Sequence, residues 1–381
     1  MGGADRMPFS RAVWVEVSRG AIASNVNEIG KHAGGQEIIA VVKANAYGHG
    51  LVGTAKALKD AGIRNFAVAS LGEGLELRQA GIGARSSRIL VLGYSLPTHA
   101  EEVVASGLCQ TVISGHEIRA LANAAEKLGK PARVQIKIDT GMHRLGVPRG
   151  DFGRLLDAVA RFPSIRLEGI YTHYSSSDEI DSPITRIQYE QFLESLEPYK
   201  LGKRVKLHAS NSAALVNFPK YKFDMIRPGI ALYGEYASAS VPRKFRLTPA
   251  LRMKSRIVEV KTIGPGHGAG YNRRFVNETL KPCRVGIIPV GYADGFMTAS
   301  SGKREVLIRG RRCRVIGAVS MDFAHVLLPD DLSIGTGEPV TLIGSDGKES
   351  ISATELATIL GTHAYEVLCL IPTRLPRKYI D

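Results

Sequence analysis

A regular alternation of short apolar segments and longer amphipathic segments runs from about Glu37 to Gly234. The apolar segments are rich in β-branched residues and indicate strands, whereas stretches such as HEIRALANAAEKLG place apolar residues at helical spacing. Parallel strands buried on both faces appear as continuous apolar runs, and eight right-handed βα units close into a barrel. The eight candidate strands are IIAVVKA, NFAVAS, ILVLGY, QTVIS, RVQIKID, RLEGIYTHY, KLHASN and MIRPGIALYG.

After about Ala237 the pattern changes to strand-like segments separated by Gly, Pro and Asp, with one late helix, ATELATIL, that Ser352 could cap. The sequence therefore predicts an α/β protein with an N-terminal (β/α)8 TIM-type barrel followed by a mostly β C-terminal domain. A chain of 381 residues is also long enough for two hydrophobic cores. We expect an extension over residues 1–12, the barrel domain over 13–240 and the β domain over 241–381. The first strand, at 13–17, precedes the barrel strands, and pairing with the C-terminal domain is the alternative for it.

Composition and charge exclude several classes of protein. The net charge is +14, but the basic residues are dispersed and their densest groups lack interleaved aromatic residues, so we expect no nucleic-acid partner. The apolar runs are much shorter than the roughly 20 residues that span a bilayer. The N-terminal stretch has no apolar core before a cleavage site, which predicts a cytoplasmic protein without a membrane partner. Four cysteines without a CxxC pair and ten scattered histidines predict neither a metal site nor a disulfide framework.

The segment AVVKANAYGHG is the sharpest local feature, because a lysine ends a buried strand and a glycine-rich turn leads into a helix. A lysine at the end of a strand is usually solvated. Lys43, however, would lie at the C-terminal face of the first barrel strand, where barrel enzymes build their active sites. Loss of hydration there would lower the pKa of the Lys43 amine, which suits a Schiff base with an aldehyde.

The segment VVKANAYGHG closely resembles the lysine-bearing segment of the alanine racemases, which use pyridoxal 5'-phosphate. The resemblance covers nearly the whole chain, and the ordered set of motifs makes it specific. The other matching segments are KIDTGMHRLG, IYTHYSSSDE, HASNSAA, IRPGIALYG, GAGYNRRF, PVGYADGF, VSMD and RLPR.

The resemblance implies that Lys43 holds the cofactor as a Schiff base and exchanges a proton on one face of the substrate, alanine. Tyr271 would be the second catalytic acid/base group. His173 would contact the cofactor ring and hold Tyr47 and Arg227, while the cofactor phosphate would lie against hydroxyl and backbone N–H groups. The implied cofactor-binding residues are Lys43, Tyr47, Arg144, His173, Ser212, Arg227, Gly229 and Ile230.

Arg227 would face the pyridine nitrogen of the cofactor. A permanent positive charge there disfavours protonation of that nitrogen and weakens the cofactor as an electron sink, which favours racemisation over transamination. A structural arginine beside a Pro-Gly turn is the alternative. Arg144 would bind the cofactor phenolic oxygen and the substrate carboxylate. Lys137 is carbamylated in many relatives and would then orient Arg144 through a charge-assisted hydrogen bond, the alternative being an ordinary salt bridge.

Three residues of the second domain are implied to reach the active site of a partner subunit: Tyr271, Met321 and Tyr292. Met321 would offer its backbone N–H to the substrate carboxylate, and Tyr292 would narrow the entrance. Each site would then need two chains, which predicts a homodimer with shared active sites.

One position departs from the family pattern. In many relatives a tyrosine near the RVPR-like segment contacts the phosphate or shapes the substrate pocket, and Thr373, immediately before Arg374, takes that position here. A smaller side chain would enlarge the pocket. The resemblance implies an alanine racemase that supplies D-alanine for peptidoglycan, and the alternative is a broad-specificity racemase that acts on serine or basic amino acids. Arg227 argues against a decarboxylase of the same architecture, and the long β domain argues against a non-catalytic cofactor carrier.

Overall fold

The computed structural model describes residues 11–381, so residues 1–10 of the predicted extension lie outside the described part. The described chain forms two compact units. The barrel unit comprises residues 22–47 and 51–248, and the β unit comprises residues 11–21, 48–50 and 249–381. Within the described range, no helix is both long enough and apolar enough to cross a membrane.

The barrel unit contains a closed barrel of eight parallel strands, which confirms the predicted fold class. Strands that follow one another along the chain pair in space, and Met225–Ile226 pairs with the first barrel strand to close the sheet. The last strand is shorter than predicted, because Pro228 has no N–H to donate and the chain turns into a 3-10 helix at Ile230–Tyr233. The barrel strands are Glu37–Val41, Asn65–Val68, Arg88–Val91, Cys109–Val112, Ala132–Asp139, Ile165–Tyr171, Lys206–His208 and Met225–Ile226, and a short strand, Val147–Pro148, pairs with Ala132–Asp139.

Helices follow the barrel strands, as the amphipathic segments predict. The helix Gly115–Leu128, for example, begins after Ser114, whose hydroxyl accepts the Glu117 N–H, and ends at Gly129 in the left-handed conformation. The remaining longer helices are Leu51–Asp60, Leu71–Gln79, Ala100–Ala105, Phe152–Ala160, Ile184–Leu196 and Ser212–Asn217, and Arg19–Ala33 precedes the first barrel strand.

Polar side chains line part of the barrel interior. Along the strand Ala132–Asp139, successive side chains point to opposite faces. Val134, Ile136 and Ile138 are buried on one face, and the residues between them, Gln135 and Lys137, are buried on the other. Gln135 contacts His208 on the strand Lys206–His208, which does not pair with this strand, and this contact places the second, polar face toward the barrel axis.

The β unit is built on one ten-stranded sheet. Its first strand, Val13–Ser18, pairs antiparallel with Leu251–Arg256 and parallel with Arg377–Ile380. The helix Ala353–Leu360 begins after Ser352, whose hydroxyl accepts the Glu355 N–H, and a second short helix follows at Ala364–Cys369. The other strands of the sheet are Glu259–Ile263, Cys283–Ile288, Glu305–Ile308, Arg311–Ile316, Ala324–Leu327, Pro339–Asp346 and Glu349–Ile351, and Gly268–Ala269 pairs separately with Phe275–Val276.

Candidate active site

Lys43 leaves the first barrel strand through a left-handed turn. The strand ends at Val41, and the four residues from Ala44 to Tyr47 all have φ between 51° and 54°. L-residues avoid this region at a cost of about 1–2 kcal/mol each, so the surroundings must hold it. The Ala44 N–H donates to Glu73 Oε1 at 2.6 Å, and the Asn45 side chain accepts the Leu51 N–H at 2.8 Å. The turn therefore fixes the direction in which Lys43 leaves the strand.

A small polar cradle is formed by Tyr47, Ser212 and Gly229. Tyr47 is buried, its ring lies 4.9 Å from that of Tyr233, and its hydroxyl approaches Gly229 so closely that a Cβ on this glycine would be 2.4 Å from the tyrosine oxygen. Ser212 Oγ accepts the N–H groups of Gly229 at 2.9 Å and Ala231 at 3.3 Å. Both lone pairs of the Ser212 hydroxyl are thereby used, which leaves its hydrogen for an external acceptor.

The cradle differs in one detail from the implied phosphate site. The Gly229 N–H, which the resemblance assigns to the cofactor, donates to Ser212 instead. The glycine contributes by its missing side chain, because any Cβ would displace the Tyr47 hydroxyl. Ile230 follows directly and is fully buried at the start of the 3-10 turn.

Arg227 is a buried cation held by neutral acceptors. Its pKa is lowered to about 10, chiefly by burial, and no carboxylate within residues 11–381 forms an ion pair with it. Burial also holds the pKa values of His173 and His208 well below the usual range, and the charge of Arg227 lowers them further. The guanidinium contacts His208 Nδ1 at 2.5 Å, Thr172 O at 2.8 Å, Ala209 O at 2.9 Å and His173 Nδ1 at 3.2 Å.

The contacts of His208 define its tautomer. Arg227 can only donate, so Nδ1 of His208 accepts. Nε2 therefore carries the hydrogen and donates to Gln135 Oε1 at 2.7 Å. Gln135 and His208 together fix the plane of the Arg227 guanidinium from inside the barrel.

Lys137 lies in the same part of the barrel. Its pKa is lowered to about 8, first by burial and then by the charges of Arg144 and Arg227. Its amine lies 5.9 Å from the centre of the Tyr171 ring, and no described carboxylate forms an ion pair with it. The salt-bridge alternative thus has no partner between residues 11 and 381.

Arg144 stands on the loop after the strand that carries Lys137. Asp139 shapes this loop, because its Oδ1 accepts three successive backbone N–H groups, those of Gly141, Met142 and His143, at 2.9 to 3.1 Å. Burial alone would raise the pKa of Asp139, but these hydrogen bonds lower it. The Arg144 side chain is exposed and extends from this loop.

The three residues implied to serve a partner subunit are exposed on the β unit. The side chains of Tyr271, Met321 and Tyr292 are 71, 53 and 45% exposed. Gly270, at φ +72°, sets the Tyr271 turn against Ala318, and the Tyr292 N–H donates to Ser320 O at 3.0 Å. Within the β unit, the segment 318–321 therefore contacts the turns that carry Tyr271 and Tyr292 and itself contains Met321.

Sequence reasoning missed three residues that position the others: Glu73, His208 and Gln135. Glu73 lies three residues after Ser70, at the spacing of a capping box, and its carboxylate accepts the N–H groups of Ala44 and Ala69. Gln135 could have been found from the sequence, because it lies two residues before Lys137 and so shares its strand face.

Comparison with known proteins agrees with the resemblance. The alanine racemase N-terminal domain model matches residues 17–237, and the C-terminal domain model matches residues 250–379. An alanine racemase of Symbiobacterium thermophilum is 41% identical over 97% of both chains. The structure of an alanine racemase from Bacillus anthracis is 36% identical with a TM-score of 0.91, covering 98% of this chain and 96% of that one. A histidine racemase from Leuconostoc mesenteroides is 27% identical with a TM-score of 0.90, covering 98 and 99%. The predicted family is confirmed, and the chain belongs to the alanine racemase family of isomerases.

Proposed function

We propose that the chain interconverts L- and D-alanine with pyridoxal 5'-phosphate as cofactor and Lys43 and Tyr271 as its two acid/base groups. The observation that carries the proposal is the buried Arg227, held by two neutral histidines without a carboxylate partner in the described chain. The cytoplasmic location and the supply of D-alanine for peptidoglycan belong to the same proposal.

The residues of the barrel unit fit the cofactor. The Ser212 hydroxyl has a hydrogen to donate, the Tyr47 hydroxyl lies beside it at Gly229, and both match the acceptor oxygens of a phosphate. We propose that these groups and the backbone at Ile230 hold the phosphate, with His173 against the ring. Lys43, released from the strand by its left-handed turn, would form the Schiff base.

Bound pyridoxal phosphate supplies an aldehyde carbon and a conjugated ring that takes up electron density when the substrate loses its α-proton. Arg227, if it faces the pyridine nitrogen as the resemblance implies, would limit how much electron density the ring takes up, because its positive charge opposes a proton on that nitrogen. A carboxylate at this position would do the opposite. Arg227 would thereby favour prompt return of a proton to the α-carbon, and return on the opposite face is racemisation.

Two bases are required because a group fixed on one side of the ring cannot serve both faces of the α-carbon. We propose that the Lys43 amine exchanges the proton on one face and the Tyr271 phenol on the other. Tyr271 would come from the partner of a homodimer, since its side chain is 71% exposed on the β unit. Arg144 and the Met321 N–H would bind the substrate carboxylate, and Tyr292 would narrow the entrance.

A broad-specificity racemase is the second candidate. Thr373 takes the position of a tyrosine of many relatives and is exposed, and one of the similar structures is a histidine racemase. The chemistry of Lys43, Tyr271 and Arg227 would be the same for both candidates, and only the pocket would differ.

The test is racemisation of L-alanine by the purified protein, with Lys43→Ala and Tyr271→Phe as inactive variants. Mixing the two variants should regenerate activity, because one of the two shared sites in a hybrid dimer keeps both groups. Tyr271→Phe should still exchange the α-hydrogen of D-alanine with deuterium through Lys43 and lose exchange from L-alanine. Borohydride should fix the cofactor to Lys43, while Lys31→Ala serves as an indifferent control. Verified hybrids without activity, or equal loss of both exchanges, would refute the shared two-base site.

A further inference from the structure

A fully buried carboxylate, that of Asp294, lies at the centre of an ionic cluster in the β unit. Its side chain is 0% exposed. Arg11 donates to both of its oxygens, at 2.8 and 3.1 Å, and Arg374 Nε donates to Oδ1 at 2.7 Å. The Gly291 N–H adds a hydrogen bond to Oδ2 at 3.1 Å. Burial would raise the pKa of Asp294, but these donors lower it, so the group is anionic at neutral pH.

The cluster contains a second carboxylate, that of Asp322. Arg374 Nη2 donates to Asp322 Oδ1 at 2.7 Å, and Arg11 approaches the same oxygen at 3.9 Å. Two guanidinium groups thus alternate with two carboxylates, and the charges cancel. We call these four residues the Asp294 cluster. Removing a cation from the buried Asp294 carboxylate would leave its charge uncompensated, so Arg11 and Arg374 are held against it.

Three of the four members of the cluster adjoin a residue assigned to the substrate. Asp294 closes the turn that contains Tyr292, Asp322 directly follows Met321, and Arg374 directly follows Thr373.

The backbone reinforces this arrangement where the turn meets the 320–321 segment. The Ala293 N–H donates to Met321 O at 3.1 Å. A Cβ on Gly291 would lie 2.2 Å from that carbonyl and equally close to Ser320 O, so only glycine permits the approach.

We infer that the Asp294 cluster is a positioning device that fixes Tyr292, Met321 and Thr373 relative to one another and thereby sets substrate affinity and selectivity. Its four side chains are positioning residues, which act through their neighbours. The inference rests on the proposed function, because the three neighbours matter only if they meet the substrate. It adds to that function a determinant that lies outside the substrate contacts.

The test compares Asp294→Asn and Asp322→Asn in the holoenzyme. Asn keeps the shape but has no charge, and at position 294 its amide NH2 would donate where Oδ2 now accepts from Arg11 and the Gly291 N–H. KM for alanine should rise about 10- to 100-fold with a much smaller change in kcat, since a displacement of about 1 Å has effects of this size. The rate ratio of serine to alanine should change as well. Cofactor affinity should stay constant, because the residues proposed to hold the cofactor belong to the barrel unit.

Asp322→Asn keeps the test decisive if Asp294→Asn does not fold. Its side chain is 44% exposed, so the loss of thermal stability should be small while the rise in KM remains. Asp322→Glu restores the carboxylate and should recover most of the affinity. The matched control is Glu355→Gln, which removes a 2.7 Å partner of Arg312 in the same unit and should leave KM unchanged.

Three outcomes are distinguished. A rise in KM in the cluster variants but not in the control supports the inference. Lowered melting temperatures with KM and the serine ratio unchanged would show a purely structural cluster and overturn it. If the unsubstituted protein binds pyridoxal phosphate but does not racemise any amino acid, the proposed function fails and takes this inference with it.

Discussion

Substitution of Gly229 by alanine tests the proposed cofactor cradle directly. The new Cβ would lie 2.4 Å from the Tyr47 hydroxyl oxygen, whereas ordinary contacts begin at 3.4 Å, so the hydroxyl must withdraw by about 1 Å. The φ of Gly229 is −116°, outside the left-handed region, so crowding rather than backbone conformation is the perturbation. Overpacking of this kind costs about 1–3 kcal/mol.

The larger effect is expected on the cofactor. A hydrogen bond to a charged group contributes about 1.5–3 kcal/mol, so loss of the Tyr47 donor should raise Kd for pyridoxal phosphate roughly 10- to 100-fold. Kd is measured by titrating the apoenzyme and following the absorbance of the bound cofactor, with thermal unfolding of the apoenzyme recorded in parallel. Gly115→Ala is the control, because its Cβ meets nothing within 4 Å.

A double variant separates crowding from lost donation. Gly229→Ala combined with Tyr47→Phe removes the oxygen that collides and leaves the ring carbon Cζ at 3.1 Å, so thermal stability should recover in part while Kd stays raised. If Gly229→Ala destabilises the apoenzyme and leaves Kd for pyridoxal phosphate unchanged, Tyr47 and Gly229 do not form a cofactor cradle.

Three further predictions concern the barrel interior and the substrate pocket. The pKa of Lys137 is lowered to about 8, so its amine is neutral above that pH. With labelled bicarbonate, a carbamate signal in carbon-13 NMR should therefore grow from pH 7 to 9. Persistence of that signal in Lys137→Ala would assign the carbamate to another residue. Thr373→Tyr should lower serine turnover relative to alanine by roughly 10- to 200-fold in steady-state assays, and an unchanged ratio would exclude Thr373 as a determinant. Gln135→Glu should favour a protonated His208, whose Nδ1–H would then repel the Arg227 guanidinium that now donates to Nδ1. Racemisation should fall and amino-group transfer to the cofactor should rise. An unaltered ratio of the two products would contradict this prediction.

The sequence by itself determined the barrel and the residue with which the proposed chemistry begins. Burial on both faces of a parallel strand leaves a continuous apolar run, and Lys43 stands where the first such run ends. These apolar runs also located the strands along the chain, because the pattern of side chains in a strand depends only on residues near one another in the sequence.

The tertiary structure decided how the polar side chains are held. The tautomer of His208 depends on Gln135 and Arg227, which stand 73 and 19 residues away in the chain. The Asp294 cluster spans still longer separations, with 283 residues between Asp294 and Arg11. Local periodicity records which side chains are buried. Distant polar groups come close to one another only when the barrel closes and the β sheet forms. Their hydrogen-bond partners, tautomers and charge states are therefore decided by the tertiary structure.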